Sequence, residues 1–147
     1  MNSAFSEPFW RRKRLEQMSR TEWEALCDGC GKCCLLKLED EDGTVAHTNA
    51  ACRLLDLATC RCRHYPQRRY WVPDCISLTP EKISTLPWLP ITCAYRLIHE
   101  GKDLPSWHPL VSGDPNSVHE AGVSIRSWAV SERQVRRIED HIIDWQP

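Results

Sequence analysis

The stretch Cys27-Asp28-Gly29-Cys30-Gly31-Lys32-Cys33-Cys34 limits what this chain can become more than any other, because it places four thiols within eight residues. Two overlapping C-x-x-C units share Cys30, and Cys34 follows directly. A C-x-x-C turn can present two sulfurs to one metal ion. Gly31, after Cys30, can take a positive φ and let the turn tighten as in a zinc knuckle. Adjacent side chains tend to diverge, so Cys33 and Cys34 are expected on different ions or on different edges of one cluster. Buried structural thiols are a poor alternative for a stretch that also holds Asp28 and Lys32. Disulfide frameworks belong to secreted chains with even counts, and this chain has nine cysteines. Metal or cluster binding is therefore the expected chemistry, ahead of disulfide or redox-thiol chemistry.

The second cysteine group is Cys52, Cys60, Cys62 and Cys75. In Cys60-Arg61-Cys62, alternate residues of an extended chain would share a face, so both sulfurs could meet one centre. Arg53, Arg61, Arg63, Arg68 and Arg69 crowd these thiols and either offset thiolate charge or form a solvated basic face. Cys93 is a late candidate ligand, expected in the first turn of a helix, where the helix dipole favours a thiolate. A packed thiol is the competing reading for Cys93. His64, two residues past Cys62, is the best histidine candidate for a ligand or a ligand's partner. His47 is expected to be a polar residue on a strand face.

A chain of 147 residues has the length of one domain, and the expectation is a single domain over 1–147 with a cysteine-rich core at 27–93. Only 41% of its residues are hydrophobic, and ten prolines and seven tryptophans favour short elements around aromatic plugs. Metal would supply stability that the apolar core does not. The net charge of −1 excludes a global polyanion-binding signature. The N-terminus lacks a basic region followed by an apolar run, so no signal peptide is read there. No stretch has the apolar length of a membrane span. The cytoplasm, where thiols stay reduced, is the expected compartment.

Residues 8–26 read as two short helices, the second opened by the capping-box pattern Ser19-Arg20-Thr21-Glu22. Arg11-Arg12-Lys13-Arg14 reads as a solvated helix face rather than a nucleic-acid contact. Asp42-Gly43, between Leu35–Asp40 and Thr44–Asn49, signals a β-hairpin that returns the chain from Cys34 towards Cys52. Thr79-Pro80 starts a helix. A second helix runs from Ile91 to Glu100 and stops at Gly101. Val123-Ser124-Ile125-Arg126 alternates like a short strand. Ser131-Glu132-Arg133-Gln134 opens a final helix, about 131–145, with Val135, Ile138, Ile142 and Trp145 as its buried stripe. The fold class is a small, irregular, cysteine-rich, metal-stabilised α+β domain.

With both cysteine groups in view, the chain resembles the CxxCxxCC (YkgJ-type) zinc- or iron-chelating domain family. The signature is Cys27-x-x-Cys30-x-x-Cys33-Cys34, followed by Cys52, Cys62 with Tyr65, Arg68 and Cys75. Cys60 and Cys93 go beyond the minimal pattern. The tract Trp88 to Leu97, with Gly101 to Pro105 and Trp107 to Leu110, is similar to the short bacterial YcgN-like subgroup. The resemblance implies metal chelation. A flagellin lysine methylase shares the cysteine domain, but nothing else in this chain points to methyl transfer.

Three function classes follow. The first is a cytoplasmic metal-binding protein with zinc or iron on a multinuclear cysteine site, handling metal or docking a protein partner. The second is an iron–sulfur redox protein or enzyme, although the Cys-Pro that closes the bacterial ferredoxin run is absent. The third is a nucleic-acid module using Arg11–Arg14 and the Arg53–Arg69 group, which no established motif supports. No Ser/His/Asp, paired-carboxylate or phosphate-loop constellation is present, so an enzymatic activity would rest on the metal alone.

Overall fold

Gly43 takes φ 86°, the left-handed conformation a tight hairpin turn requires, and the chain reverses there. The Asp40 N–H donates to the Thr44 carbonyl at 2.8 Å, and Gly43 N–H returns to the Asp40 carbonyl at 2.9 Å. In the computed structural model, which describes residues 7–73, 75, 78–86 and 88–143, this turn joins β1 (Leu35–Glu39) to β2 (Val45–Ala51). The two strands pair antiparallel, Glu39 opposite Val45 and Leu35 opposite Ala51, with a bulge between Leu35 and Lys37. Further along lie β3 (Leu55–Asp56), β4 (Arg61–Cys62) and β5 (Val130–Ser131). β3 pairs antiparallel with β4, and β5 adds parallel to β2, giving the order β1-β2-β5. The helices are α1 (Phe9–Arg12), α2 (Arg20–Ala25), α3 (Arg68–Trp71), α4 (Pro80–Ile83), α5 (Ala94–His99), α6 (Pro109–Ser112) and α7 (Ser117–Glu120). The fold is α+β, built from short helices and small sheets, as expected.

The chain divides into two units, Met1–Asp28 with Leu78–Ser117, and Gly29–Ser77 with Val118–Pro147. The first is helical. Ser19 caps α2 through its Oγ, which accepts from the Glu22 N–H at 3.1 Å, while Glu22 returns to the Ser19 N–H at 2.9 Å. That is the reciprocal capping box expected at this position. Pro80 opens α4 as expected, and Gly101, at φ 76°, follows α5. Leu15, Leu26, Ile83, Leu89, Ala94, Tyr95 and Leu104 form the core, with Trp23 against Tyr95 at 4.5 Å between ring centres. His108 is fully buried in this unit. Its Nδ1 accepts from the Leu110 N–H at 3.0 Å, so the proton sits on Nε2, which donates to the Leu26 carbonyl at 2.6 Å. Both ring nitrogens are thereby satisfied, as burial of a polar ring demands.

The basic run at Arg11–Arg14 is a solvated face, as expected. Arg11 pairs with Asp103 at 2.5 Å, Lys13 with Glu22 at 2.8 Å and Arg14 with Glu16 at 3.7 Å. The hydrogen bond from Arg11 holds the Asp103 carboxyl down to about 2.

The second unit has a much smaller apolar centre: Leu35, Ala51, Leu55, Cys60 and Ile125, with Cys34, Leu57, Trp128 and Ala129 at its edge. Two expectations fail here. Val123–Arg126 is not a strand. The Ile125 N–H donates to the Cys30 carbonyl at 3.0 Å, and its own carbonyl accepts from Trp128 and Ala129, so no ladder bond is left to make. The strand forms instead at Val130–Ser131.

The final helix is also absent as a continuous element. Two 3₁₀ turns, Glu132–Gln134 and Ile138–His141, replace it, with Val135 and Arg137 extended between them. The segment has to reach the β2 edge, where Ile143 N–H donates to the His47 carbonyl at 2.9 Å and Thr48 bridges Ile142. A helix rises only about 1.5 Å per residue against about 3.3 Å extended, so breaks lengthen it. Ile142 is 47% exposed and is not part of a buried stripe. Asp144 and Trp145 lie outside the described residues.

Candidate metal centre

Gly31 takes φ 78° and leads into a 3₁₀ turn over Lys32–Cys34. A Cβ there would stand 3.0 Å from two Ile125 side-chain atoms and 3.5 Å from the Cys60 Cβ. Both the positive φ and the crowding require glycine, which confirms the reading of Gly31 as the tight point of the knuckle. The turn delivers Cys33 to the surface and Cys34 to a half-buried position. The hairpin then brings the chain back, and Cys52 N–H donates to the Cys34 carbonyl at 2.8 Å. Next, β4 turns Cys62 back beside Leu55. After α3, Cys75 N–H donates to the Val72 carbonyl at 2.9 Å.

Four segments of the second unit thus bring five thiols, those of Cys33, Cys34, Cys52, Cys62 and Cys75, within electrostatic reach of one another. The Cys34 thiol sits well above its ordinary value, because it is hydrogen-bonded to Cys33, buried, and faced by Cys33, Cys52 and Cys75. Burial pushes Cys52 up, with Glu132, Cys62 and Cys75 adding to it. Burial likewise raises Cys75, helped by Cys62 and Cys33 and opposed by Arg68. Thiols that disfavour one another's ionisation are held as neutral acids until a cation replaces their protons, so loading a metal here releases protons. Among the described residues, no three His, Cys, Asp or Glu side chains converge tightly enough to enclose an ion. The donor set nonetheless has the chemistry of a soft-metal site, thiolate sulfurs beside compensating cations.

Cys33 and Cys34 correct one expectation. Their thiols hydrogen-bond to each other rather than diverging. The tight 3₁₀ turn keeps the neighbouring side chains together.

Cys60 stands apart. Its φ is 58°, the one non-glycine residue with positive φ among those described, so Cys60-Arg61-Cys62 is not an extended alternating run. The buried Cys60 thiol is hydrogen-bonded to Ser124 and lies near Arg126, and burial raises it. Ser124 Oγ in turn meets His119 Nδ1 at 2.7 Å. Cys30 is buried in the same unit, and its carbonyl takes the Ile125 N–H. Cys27, exposed, and Cys93, partly buried against the helical core, belong to the first unit. Cys93 is the N-cap of α5 rather than a residue of its first turn. His47 lies on β2 opposite Lys37, where burial lowers its ring first and the Lys37 charge second. His64 is exposed and packs its ring on Trp71 at 5.5 Å.

The sequence reading missed one cation and left another without a partner. Lys37 Nζ donates to the carbonyls of Leu35 at 2.7 Å and Cys33 at 3.3 Å, beside the Cys33 and Cys34 thiols. Burial lowers its ammonium and the two thiols raise it. The signal was a single lysine within Leu35-Leu36-Lys37-Leu38. Arg68, one of the crowded arginines and a residue of the family signature, is the cation hydrogen-bonded to Cys75. A cleft of about 590 Å³ lined by Trp10, Arg11, Ile98 and Lys102 lies in the first unit and is lined by no cysteine.

Residues 26–94 match a family model described as CxxCxxCC, "putative zinc- or iron-chelating domain". A UPF0260 protein of Rhizorhabdus wittichii is 60% identical over 141 residues, covering 95% of this chain and 97% of its own. One from Allorhizobium ampelinum is 59% identical over 143 residues, covering 95% and 90%. One from Shewanella amazonensis is 54% identical over 138 residues, covering 93% and 94%. No solved structure matches the chain. No helix among the described residues is long and apolar enough to cross a membrane.

Proposed function

Because the chain belongs to the UPF0260 family of CxxCxxCC proteins, we propose that it is a cytoplasmic metal-binding protein holding zinc or iron on a multinuclear thiolate site. The observation that carries this reading is the gathering of Cys33, Cys34, Cys52, Cys62 and Cys75 from four segments beside Lys37 and Arg68. One tetrahedral ion takes four ligands, and this group alone holds a fifth thiol. A bridging thiolate between two ions accommodates the excess, as does an iron–sulfur cluster, whose several irons present separate positions. Cys27, Cys30, Cys60 and Cys93 remain candidate ligands to be decided one substitution at a time.

The test is elemental analysis of protein purified without oxygen, against a concentration from amino-acid analysis, together with its visible spectrum. At least two metal atoms per chain are expected. A colourless zinc protein supports a chelating or fold-building site. A brown protein with iron and acid-labile sulfide supports the redox form. One metal atom per chain, with the other thiols freely titratable, overturns the multinuclear reading.

A further inference from the structure

The stretch from Leu57 to Pro73 contains four arginines and no acidic residue, although the chain as a whole carries −1. Three large aromatic side chains in the same stretch face solvent: Tyr70 is 81% exposed, Trp71 48% and Tyr65 44%. Isolated surface aromatics need no explanation, but three within seven residues form a surface. Tyr70 and Trp71 are ordered against each other. Tyr70 meets Trp71 edge-on at 5.3 Å between ring centres, and His64 lies against Trp71 at 5.5 Å. The backbone beneath is anchored, since Arg53 donates to the Trp71 carbonyl while it also pairs with Glu132 at 3.4 Å.

The arginines divide by role. Arg68 lies over the Tyr65 ring at 4.0 Å and is hydrogen-bonded to Cys75, so it answers the thiols. Arg61, Arg63 and Arg69 are exposed and enter no ion pair among the described residues. They are left to attract an anion alongside exposed π faces. Stacking rings interleaved with guanidinium groups suit one ligand chemistry above others, an unpaired strand of nucleotides. Its bases stack on aromatic and guanidinium planes and its phosphates meet the cations. An acidic protein would satisfy the arginines and leave the rings unused.

We propose that the surface built by His64, Tyr65, Tyr70 and Trp71 with Arg61, Arg63 and Arg69 binds single-stranded RNA. RNA is the source assigned because proteins recognise it mainly in unpaired segments whose bases are splayed onto such planes. The surface does not depend on which metal the thiols hold.

The experiment is fluorescence anisotropy with a labelled oligoadenylate RNA of about twelve nucleotides and the full chain purified without oxygen. Saturable binding is expected. Three phosphate contacts give a salt slope of about −2, so a fourfold rise in salt weakens binding about twentyfold. Tyr70→Ala and Trp71→Ala each weaken it by roughly five- to a hundredfold, while Tyr70→Phe, which keeps the ring, binds like the natural protein. Replacing Arg61, Arg63 and Arg69 together by glutamine flattens the salt dependence. Metal content and near-UV dichroism, measured on each variant, show that the fold is retained. Lack of binding at low salt overturns the proposal, and so does affinity indifferent to Tyr70→Ala. Equal binding of a fully paired RNA duplex, or displacement by polyglutamate at matched charge, overturns the stacking role. Tighter binding of the matching DNA strand overturns the assignment to RNA.

Discussion

Stripping the metal with a strong chelator under reducing conditions is expected to unfold the second unit and leave the first standing. The reason lies in the two cores. The helical unit buries seven apolar residues and packs ten more against them, Trp23 on Tyr95 among them. The apolar cluster of the cysteine unit holds five buried residues, one of which is Cys60, with four partly buried neighbours; Cys30, Ala50, Leu54 and Val118 are buried outside it. A fully buried aliphatic side chain contributes about 1.5–3 kcal/mol, before the entropy of ordering the chain is subtracted. Five buried aliphatic side chains, Leu35, Leu54, Leu55, Val118 and Ile125, cannot order a unit of this length on those terms. Structural zinc supplies about 10–16 kcal/mol of apparent binding energy in small zinc domains, and that energy is folding energy. Amide hydrogen exchange measured by segment is the readout. Exchange over 35–62 should accelerate by about a thousandfold or more, equivalent to about 4 kcal/mol, while 83–104 stays protected. An apo protein with unchanged protection over 35–62 would show that metal does not hold this unit.

Cys34→Ser and Cys60→Ser are expected to part company. Cys34 is the thiol the others converge on: it is hydrogen-bonded to Cys33 and faced by Cys52 and Cys75. A serine hydroxyl does not ionise near neutral pH and is a poor soft-metal ligand, so Cys34→Ser should remove at least half of the bound metal. Stability should fall with it, since binding and folding are linked. Cys60 is directed to Ser124 instead, and a serine in its place can still bond Ser124. Cys60→Ser should keep its metal and cost about 1 kcal/mol in packing and hydrogen bonding. Metal per chain after gel filtration, with the melting temperature of each variant, decides it. Equal metal loss in both variants would put Cys60 among the ligands and redraw the centre.

What could be read ahead of the structure divides along local and non-local lines. The Asp42-Gly43 hairpin, the Ser19–Glu22 box, Pro80 at a helix start and Gly31 at positive φ are each settled within a few residues, and each is present. The failures depend on distant partners. Val123–Arg126 alternates like a strand, but the Cys30 carbonyl takes the Ile125 N–H, and the segment turns. The last helix is broken because residues 141–143 must reach Asn49 and His47 on β2. Of the site, the cysteine inventory was legible and the partition was not. The same-face rule for Cys60 and Cys62 assumes an extended chain, and φ 58° at Cys60 removes that assumption. Arg68 was legible in the signature and Lys37 was not, and only packing sets Arg68 against Cys75 and Lys37 against Cys33 and Cys34.

X-ray absorption at the metal edge, on protein purified without oxygen, tests most directly whether thiolates hold the metal. The expected result is a first shell dominated by sulfur at about 2.3 Å, with a second metal atom as the next scatterer. A first shell of oxygen and nitrogen at about 2.0–2.2 Å would contradict it. Such a shell would mean that the five gathered thiols do something other than hold a metal.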